Sequence, residues 1–388
     1  MGYSQASVLP IARLASWVGV YGVSFLVVFV NVTLWFSIEF WREQKKRLKI
    51  LRKLLYPLLF LSIIIFHFSR PVSVEKNKET TLVNISIVQG NIPQSEKWDP
   101  GVKSNIIQTY QKLSELVGTS KSDLIIWPEA AWPGIFNLDP EREEILKSVR
   151  PIQTPFLIGS PYEEMLPEFG RPGKIFNSAY LIGSNGETLG RYDKIRLVPF
   201  GEFVPLALFF NLFGLEKYAY SLGVGDFSAG NTYRVFELPK PKMPVRFSTL
   251  ICFEDTFPEL ARKFVDQGAQ FLIVITNDAW FGKSAAAYQH LQASIFRAIE
   301  NGVPVVRAAN TGVSAFILPN GEVVDRVKDE QGSDAWIAGG LTRPVTLAER
   351  KTIYRMFGYL SHFVCVLLVF GSYFGRQMLL PHLIHRFL

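Results

Sequence analysis

Three hydrophobic patterns alternate along the chain. The first is continuous. Residues 17–41, WVGVYGVSFLVVFVNVTLWFSIEFW, predict a helix able to cross a hydrocarbon core of about 30 Å, with Trp and Tyr near both ends as interfacial anchors. Shorter apolar runs at 54–69, interrupted by Pro57, and at 356–374 predict two further spans. The second pattern is a series of short β-rich runs bounded by turn signals. Runs at 82–89, 123–127, 154–159, 179–182, 246–251, 271–276 and 303–308 predict buried strands. Residues 315–318 and 322–325, on either side of Pro319-Asn320-Gly321, predict a hairpin. The third pattern is helical spacing, at 104–116, 257–267 and 288–301, where Pro258 sets φ for a helix start and Glu259 occupies its first turn. Strands alternating with helices predict an α/β layered domain with mixed strand pairing.

These patterns divide the chain into a membrane region at 1–71, a polar linker at 72–81, a globular domain at 82–347, and a last span with its tail at 348–388. Residues 1–15 lack a basic leader and a small-residue cleavage site, so they are not read as a signal peptide. The basic run REQKKRLKILRK after the first span places that loop in the cytoplasm, and Arg376, His382 and Arg386 place the tail there too. The globular domain is then expected on the outer face of the membrane.

Composition agrees with a globular domain tethered by a few spans. The 388 residues are 48% hydrophobic and 19% charged, with a mean hydropathy of +0.16. A net charge of +7 invites a nucleic-acid reading. Much of the excess sits in the juxtamembrane run, where anionic lipid accounts for it, so no nucleic acid is expected. The two cysteines, Cys252 and Cys365, lie in different contexts, and no disulfide between them is expected.

Candidate chemistry centres on 245–260, VRFSTLICFEDTFPEL. Cys252 stands where a buried strand gives way to a helix, a place that suits a nucleophile whose thiolate and oxyanion both need stabilising. The plainer reading is a small buried hydrophobe. In LIIWPEAAWPG (124–134) a strand ends near Glu129; beside Trp127 and Trp132 that carboxylate suits a general base, or else serves as a helix N-terminal acid. In GRYDKIRLVPFGEFVP (190–205) Lys194 follows a strand. Near a thiolate, an ammonium would lower the thiol pKa and stabilise a tetrahedral oxyanion; a plain surface lysine is the alternative. Glu202 lies eight residues on. The apolar stretch 204–215, with Phe209 and Phe210, reads either as a lid that dips into the bilayer surface or as a core helix.

Glu129, Lys194 and Cys252, in that order and each after a strand, resemble the Glu-Lys-Cys triad of the nitrilase superfamily. The flanking words IVQGNIPQSEKWDP (87–100), IIWPEAAWP (125–133), YDKIRLVPFGEFVP (192–205), ICFEDTFP (251–258), NDAWFG (277–282) and YQHLQASIFRAIENGVPVVRAANTG (288–312) resemble the apolipoprotein N-acyltransferase family over nearly the whole chain. That resemblance implies a nitrilase-like α-β-β-α sandwich with flanking transmembrane helices, in the bacterial inner membrane and facing the periplasm. It implies transfer of an acyl chain from a phospholipid donor to the α-amino group of a diacylglyceryl apolipoprotein acceptor. Glu129 would be the base, Lys194 the oxyanion partner and Cys252 the acyl-accepting nucleophile. Glu202, Glu254 and Phe253 would support them, and Trp132, Phe209, Phe210, Asn277 and Trp280 would bind substrate. No metal or cofactor is implied. The family usually carries several more spans ahead of the equivalent of Trp17, which bears on lipid entry more than on the triad. A membrane-tethered amidase and a non-catalytic truncated paralogue remain as alternatives.

Overall fold

The structure, a computed structural model, describes residues 1–42, 81–118, 121–143, 146, 150–166, 171–205, 227–238, 244–347 and 351–358. The expected span at 54–69, nearly all of the basic run and linker, Phe209 and Phe210, Cys365 and most of the span at 356–374 lie outside the described residues. The chain falls into two compact units, Met1–Pro71 with Lys351–Leu388, and Val72–Arg350.

In the first unit, helix α1 runs Ala15–Arg42, and Ala15–Trp35 is long and apolar enough to cross a membrane. Its path is interrupted at Gly19, whose φ of 67° suits glycine, so the run read as unbroken from 17 to 41 contains a kink. Val20 and Val23 are buried, while Trp17, Tyr21, Phe25, Phe29, Val32 and Trp35 are exposed.

The second unit is built on two six-stranded sheets. The first contains β1 (Thr81–Gln89), β2 (Leu124–Ile126), β3 (Phe156–Leu166), β4 (Arg171–Ile182), β5 (Thr188–Asp193) and β12 (Gly339–Leu347), in the order β12-β1-β2-β3-β4-β5. The second contains β6 (Phe236–Leu238), β7 (Val245–Ile251), β8 (Phe271–Thr276), β9 (Val305–Ala309), β10 (Ala315–Ile317) and β11 (Val323–Arg326), in the order β11-β10-β9-β8-β7-β6. Each sheet has a parallel centre, β1-β2-β3 or β7-β8-β9, flanked by antiparallel strands. Parallel strands covered on both faces should be apolar throughout. β8, FLIVIT, is buried at all six positions.

The sheets meet through β1 against β9 and β4 against β7. Helix α2 (Lys103–Gly118) covers β1 and β12, whereas α3 (Pro258–Asp266) and α4 (Ala286–Asn301) cover the second sheet. This is the expected α-β-β-α sandwich. Tyr110, Trp127, Trp132, Phe136 and Phe156 belong to the core of the first sheet and its helix. Both indole N–H groups find partners there, Trp127 on Ser114 Oγ and Trp132 on Asp139 Oδ2.

Two strands exceed their sequence expectation. β3 and β4 pair well beyond 154–159 and 179–182, to Leu166↔Arg171. Their outer halves carry Glu163, Glu164 and Lys174, which hide the apolar pattern. β12, GGLTRPVTL, has weak strand propensity but pairs along the whole of β1, and its Pro344 is tolerated because β12 is an edge strand.

Candidate active site

The site forms where the central parallel strands end. Glu129 follows β2, Cys252 follows β7, Asn277 follows β8 and Asn310 follows β9. Strand ends of this kind place side chains together at a sheet edge, away from the satisfied backbone of the ladder. Lys194 enters from the end of β5, and Asn177 from within β4.

Glu129 is held on several sides. Its Oε1 accepts from Asn177 Nδ2 at 2.8 Å and lies 3.6 Å from Lys194 Nζ, and its Oε2 accepts from the Asn277 backbone N–H at 2.8 Å. Lys194 is 1% exposed. Its Nζ donates to Glu202 Oε1 at 2.9 Å, and the same oxygen accepts from Asn177 Nδ2 at 2.8 Å. Asn177 thus stands between two carboxylates that share one ammonium. Glu202 Oε2 accepts from Val198 N–H, closing the turn after Lys194. Burial opposes the charge on Lys194, but Glu129, Cys252 and Glu202 outweigh it and hold the ammonium above the usual lysine pKa.

Cys252 has a φ of +53°, rare for a residue with a side chain. The chain turns there from β7 into a short 3-10 helix, Cys252–Thr256, and the strained turn presents the sulfur at the strand end. The cysteine is free and partly exposed. Glu254 fastens this turn to the lysine loop. Its Oε2 accepts from Ile251 N–H, and its Oε1 accepts from Tyr192 Oη–H, Ile195 N–H and Arg196 N–H. Burial raises its pKa to about 6, against the donors and Lys194, which lower it.

Lys194 acts on Cys252 in the expected direction and lowers the thiol pKa, but burial, followed by the charge of Glu129, outweighs it and holds the thiol well above its ordinary value. The resting group is a thiol, so attack requires a base to take its proton, and Glu129 is close enough to bear on it.

A buried polar network underlies the nucleophile. His290, on α4, contacts the Cys252 carbonyl and Asp255 Oδ1 through Nε2, and Asp278 Oδ1 through Nδ1. Arg307, on β9, donates to Asp255 Oδ2 and Asp278 Oδ2. Burial opposes the charge on His290, yet Asp255 and the bonds to both carboxylates raise its pKa to about 9. A second network, of amides, joins the strand ends: Asn310 Nδ2 donates to Asn277 Oδ1 and Ile92 O, and Asn277 Nδ2 donates to Gln94 Oε1.

The sequence-derived residues therefore separate. Glu129, Lys194, Cys252, Glu202 and Glu254 come together, and Phe253 lies beside Cys252 with its ring edge-on to Phe257. Trp280 is 67% exposed, after Asn277. Trp132 is not at a substrate-binding surface: it is fully buried, edge-on to Phe136. Trp127 stacks on Tyr110 in the same core, so the surroundings of Glu129 are polar rather than aromatic. Asn277 is buried and spends its side chain on Gln94, Asn310 and its own turn, so it positions Glu129 instead of offering a surface to substrate. Sequence reasoning missed Lys97, Asn177 and the His290 network. The network had a signal: His290, Ser294, Arg297 and Asn301 recur at helical spacing on one stripe of α4, and that polar stripe faces inward.

Comparison with known proteins bears on this arrangement. Residues 84–339 match the carbon-nitrogen hydrolase family, and residues 1–33 match the apolipoprotein N-acyltransferase N-terminal domain. An apolipoprotein N-acyltransferase of Geobacter metallireducens is 35% identical over 94% of this chain and 67% of its own length. One from Pasteurella multocida is 31% identical over 98% of this chain and 72% of its own. This chain belongs to the apolipoprotein N-acyltransferase branch of the carbon-nitrogen hydrolase family. It spans about two thirds of the Geobacter relative's length. Among solved structures, an amidase from Nesterenkonia sp. aligns with a TM-score of 0.47 at 18% identity, over 69% of this chain and 91% of that one. Family membership agrees with the two mixed sheets and with an acyltransferase assignment for the chain.

Proposed function

We propose that this chain moves a fatty acyl group from a phospholipid to the α-amino group of the N-terminal S-diacylglyceryl cysteine of apolipoproteins, through a thioester on Cys252. The reading rests on one observation: Glu129 and Lys194 lie 3.6 Å apart, and both charges bear on Cys252. In the first half-reaction Glu129 takes the thiol proton as sulfur attacks the ester carbonyl. Lys194, held cationic, faces the developing oxyanion. Collapse breaks the ester C–O bond; the departing alkoxide receives the proton from Glu129, and the acyl group stays on sulfur. In the second, the acceptor amine attacks the thioester, a C–N bond forms, the C–S bond breaks, and the thiol is restored. Two easier displacements replace one ester-to-amide exchange, with ping-pong kinetics.

Glu202, Asn177, Glu254 and Asn277 keep the three groups in register, and Trp280, exposed three residues after Asn277, meets substrate. α1 spans the bacterial inner membrane, and the sandwich works on its outer side, where lipid and lipoprotein meet. The test is transfer of a labelled acyl chain from phospholipid vesicles to a synthetic diacylglyceryl lipopeptide. The product should be an amide at the free N-terminus, and a lipopeptide with an acetylated N-terminus should yield none. Hydrolysis of small amides without acyl transfer would overturn the reading in favour of an amidase.

A further inference from the structure

Lys97 is a second buried lysine at this site, and the triad leaves it without a task. It lies in the loop between β1 and α2 and is 1% exposed, as is Lys194. Their partners differ. Lys194 Nζ has Glu202 at 2.9 Å and Glu129 at 3.6 Å. Lys97 Nζ donates at 3.0 Å to the neutral carbonyl oxygen of Glu129, its one hydrogen bond among the described residues, and it forms no ion pair there. An ammonium is expensive to bury on one neutral acceptor. Burial pulls its pKa down to about 8, against Glu129 and Cys252, which favour the proton.

The proton balance of the reaction proposed above gives this amine a role. In the first half-reaction a single proton travels from sulfur through Glu129 to the leaving oxygen, with none left over. The second differs. The acceptor is an α-ammonium for much of its time at neutral pH. To become an amide nitrogen with one N–H it must shed two protons. One returns through Glu129 to the departing sulfur. Glu129 cannot hold the other as well, and Lys194 is already protonated.

We propose that Lys97, as the neutral amine, takes this surplus proton from the incoming acceptor ammonium and so frees the nucleophile for attack. The transfer is R–NH3⁺ plus Lys97–NH2 to R–NH2 plus Lys97–NH3⁺, and the proton passes to solvent after the product leaves. The acyl-enzyme complex favours it, because the arriving ammonium brings a like charge into a desolvated space. The titratable groups that act on Lys97 are those two, Glu129 on the loop after β2 and Cys252 after β7.

The inference depends on the acyl-transfer reading, and the experiment separates the two. The native chain, Lys97→Met and Lys97→Arg are acylated from phospholipid vesicles. They are then offered either the diacylglyceryl lipopeptide or hydroxylamine, which is uncharged at neutral pH and brings no surplus proton. Acyl-enzyme is expected in all three. Release by hydroxylamine should be alike, while transfer to the lipopeptide at neutral pH falls by about 100-fold or more in the Lys97→Met protein. Raising the pH above the acceptor amine's pKa should recover that transfer. Arginine, which stays charged and so cannot take up a proton, should behave as methionine does. Equal slowing with both nucleophiles would make Lys97 a scaffold and overturn the proposal, as would undiminished transfer to the lipopeptide. No acyl adduct in the native chain would instead bring down the acyl-transfer reading itself.

Discussion

Glu129 is placed by close packing as much as by hydrogen bonds. Gly159, on β3, runs directly beneath it: a Cβ there would press on the Pro128 carbonyl and come within 2.7 Å of Glu129 Cα. These are backbone atoms, so the neighbour cannot swing aside. Gly159→Ala should therefore leave the sheet folded but displace the carboxylate from the thiol. Misplacing a reacting group by about 1 Å costs on the order of 100-fold. Acyl-enzyme formation should slow by about that factor, with circular dichroism unchanged; a native rate would mean that Glu129 is not the base. At this scale the sequence carried the ionisable members of the site but not their settings. The strand-end positions of Glu129 and Cys252 were readable because each follows an apolar run, whereas Lys194 follows the mostly polar TLGRYD and was readable through its motif. Asn177 was not, since it lies inside a strand and acquires meaning only when β4 brings it between two carboxylates. The lowering effect of Lys194 on Cys252 was legible but the burial that outweighs it was not, because nearness to a lysine is visible in a motif whereas burial is a property of the finished fold.

Elements meet at the site through single side chains. Glu254 is the clearest case, since one buried carboxylate joins the end of β7 to Ile195 and Arg196 beyond β5. Glu254→Gln would set an amide N–H2 against backbone N–H donors that now face oxygen. A buried donor left without its charged partner costs about 1.5–3 kcal/mol. The variant should melt at a lower temperature in detergent, and its acylation should slow because the Lys194 loop is no longer tied to the nucleophile turn. An unaltered melting temperature with unaltered acylation would refute that role. Elements with strong local pattern, such as β1, β8 and α4, were legible in advance. β12 and the outer halves of β3 and β4 were not, because cross-strand pairing and not propensity decides them.

For the molecule as a whole, the buried His290–Asp255–Asp278–Arg307 network links stability to pH. The ordinary value for His290 is 6.5 and the folded value about 9. Folding therefore binds its proton more tightly, so this stabilisation is fully present below pH 6.5 and is lost as pH rises through 9. Lys97 acts in the opposite sense but over another range: its folded value of about 8 lies below 10.5, so its cost fades only above pH 8. The interval from 6.5 to 8 thus reports mainly on the histidine. Native protein should lose stability across it, by at most about 1.4 kcal/mol per pH unit from this group. His290→Gln should be less stable at pH 6.5 and nearly flat over the same interval. Parallel slopes for the two proteins would place the titrating group elsewhere. The layered α/β plan and the triad order were readable from the sequence, as was a long apolar first helix. The salt-bridged underlay was not, because its members lie on four elements and meet only when the second sheet and α4 close around them.

The central claim is a covalent one, that Cys252 carries the acyl chain between donor and acceptor. Intact-mass measurement of the purified chain after incubation with a phospholipid of known acyl composition, without acceptor, tests it most directly. The account predicts a mass increase equal to one acyl group less a hydrogen, mapped to Cys252, absent from Cys252→Ala and discharged by the lipopeptide. An adduct that persists in Cys252→Ala, or lipopeptide acylation by that variant, would contradict it.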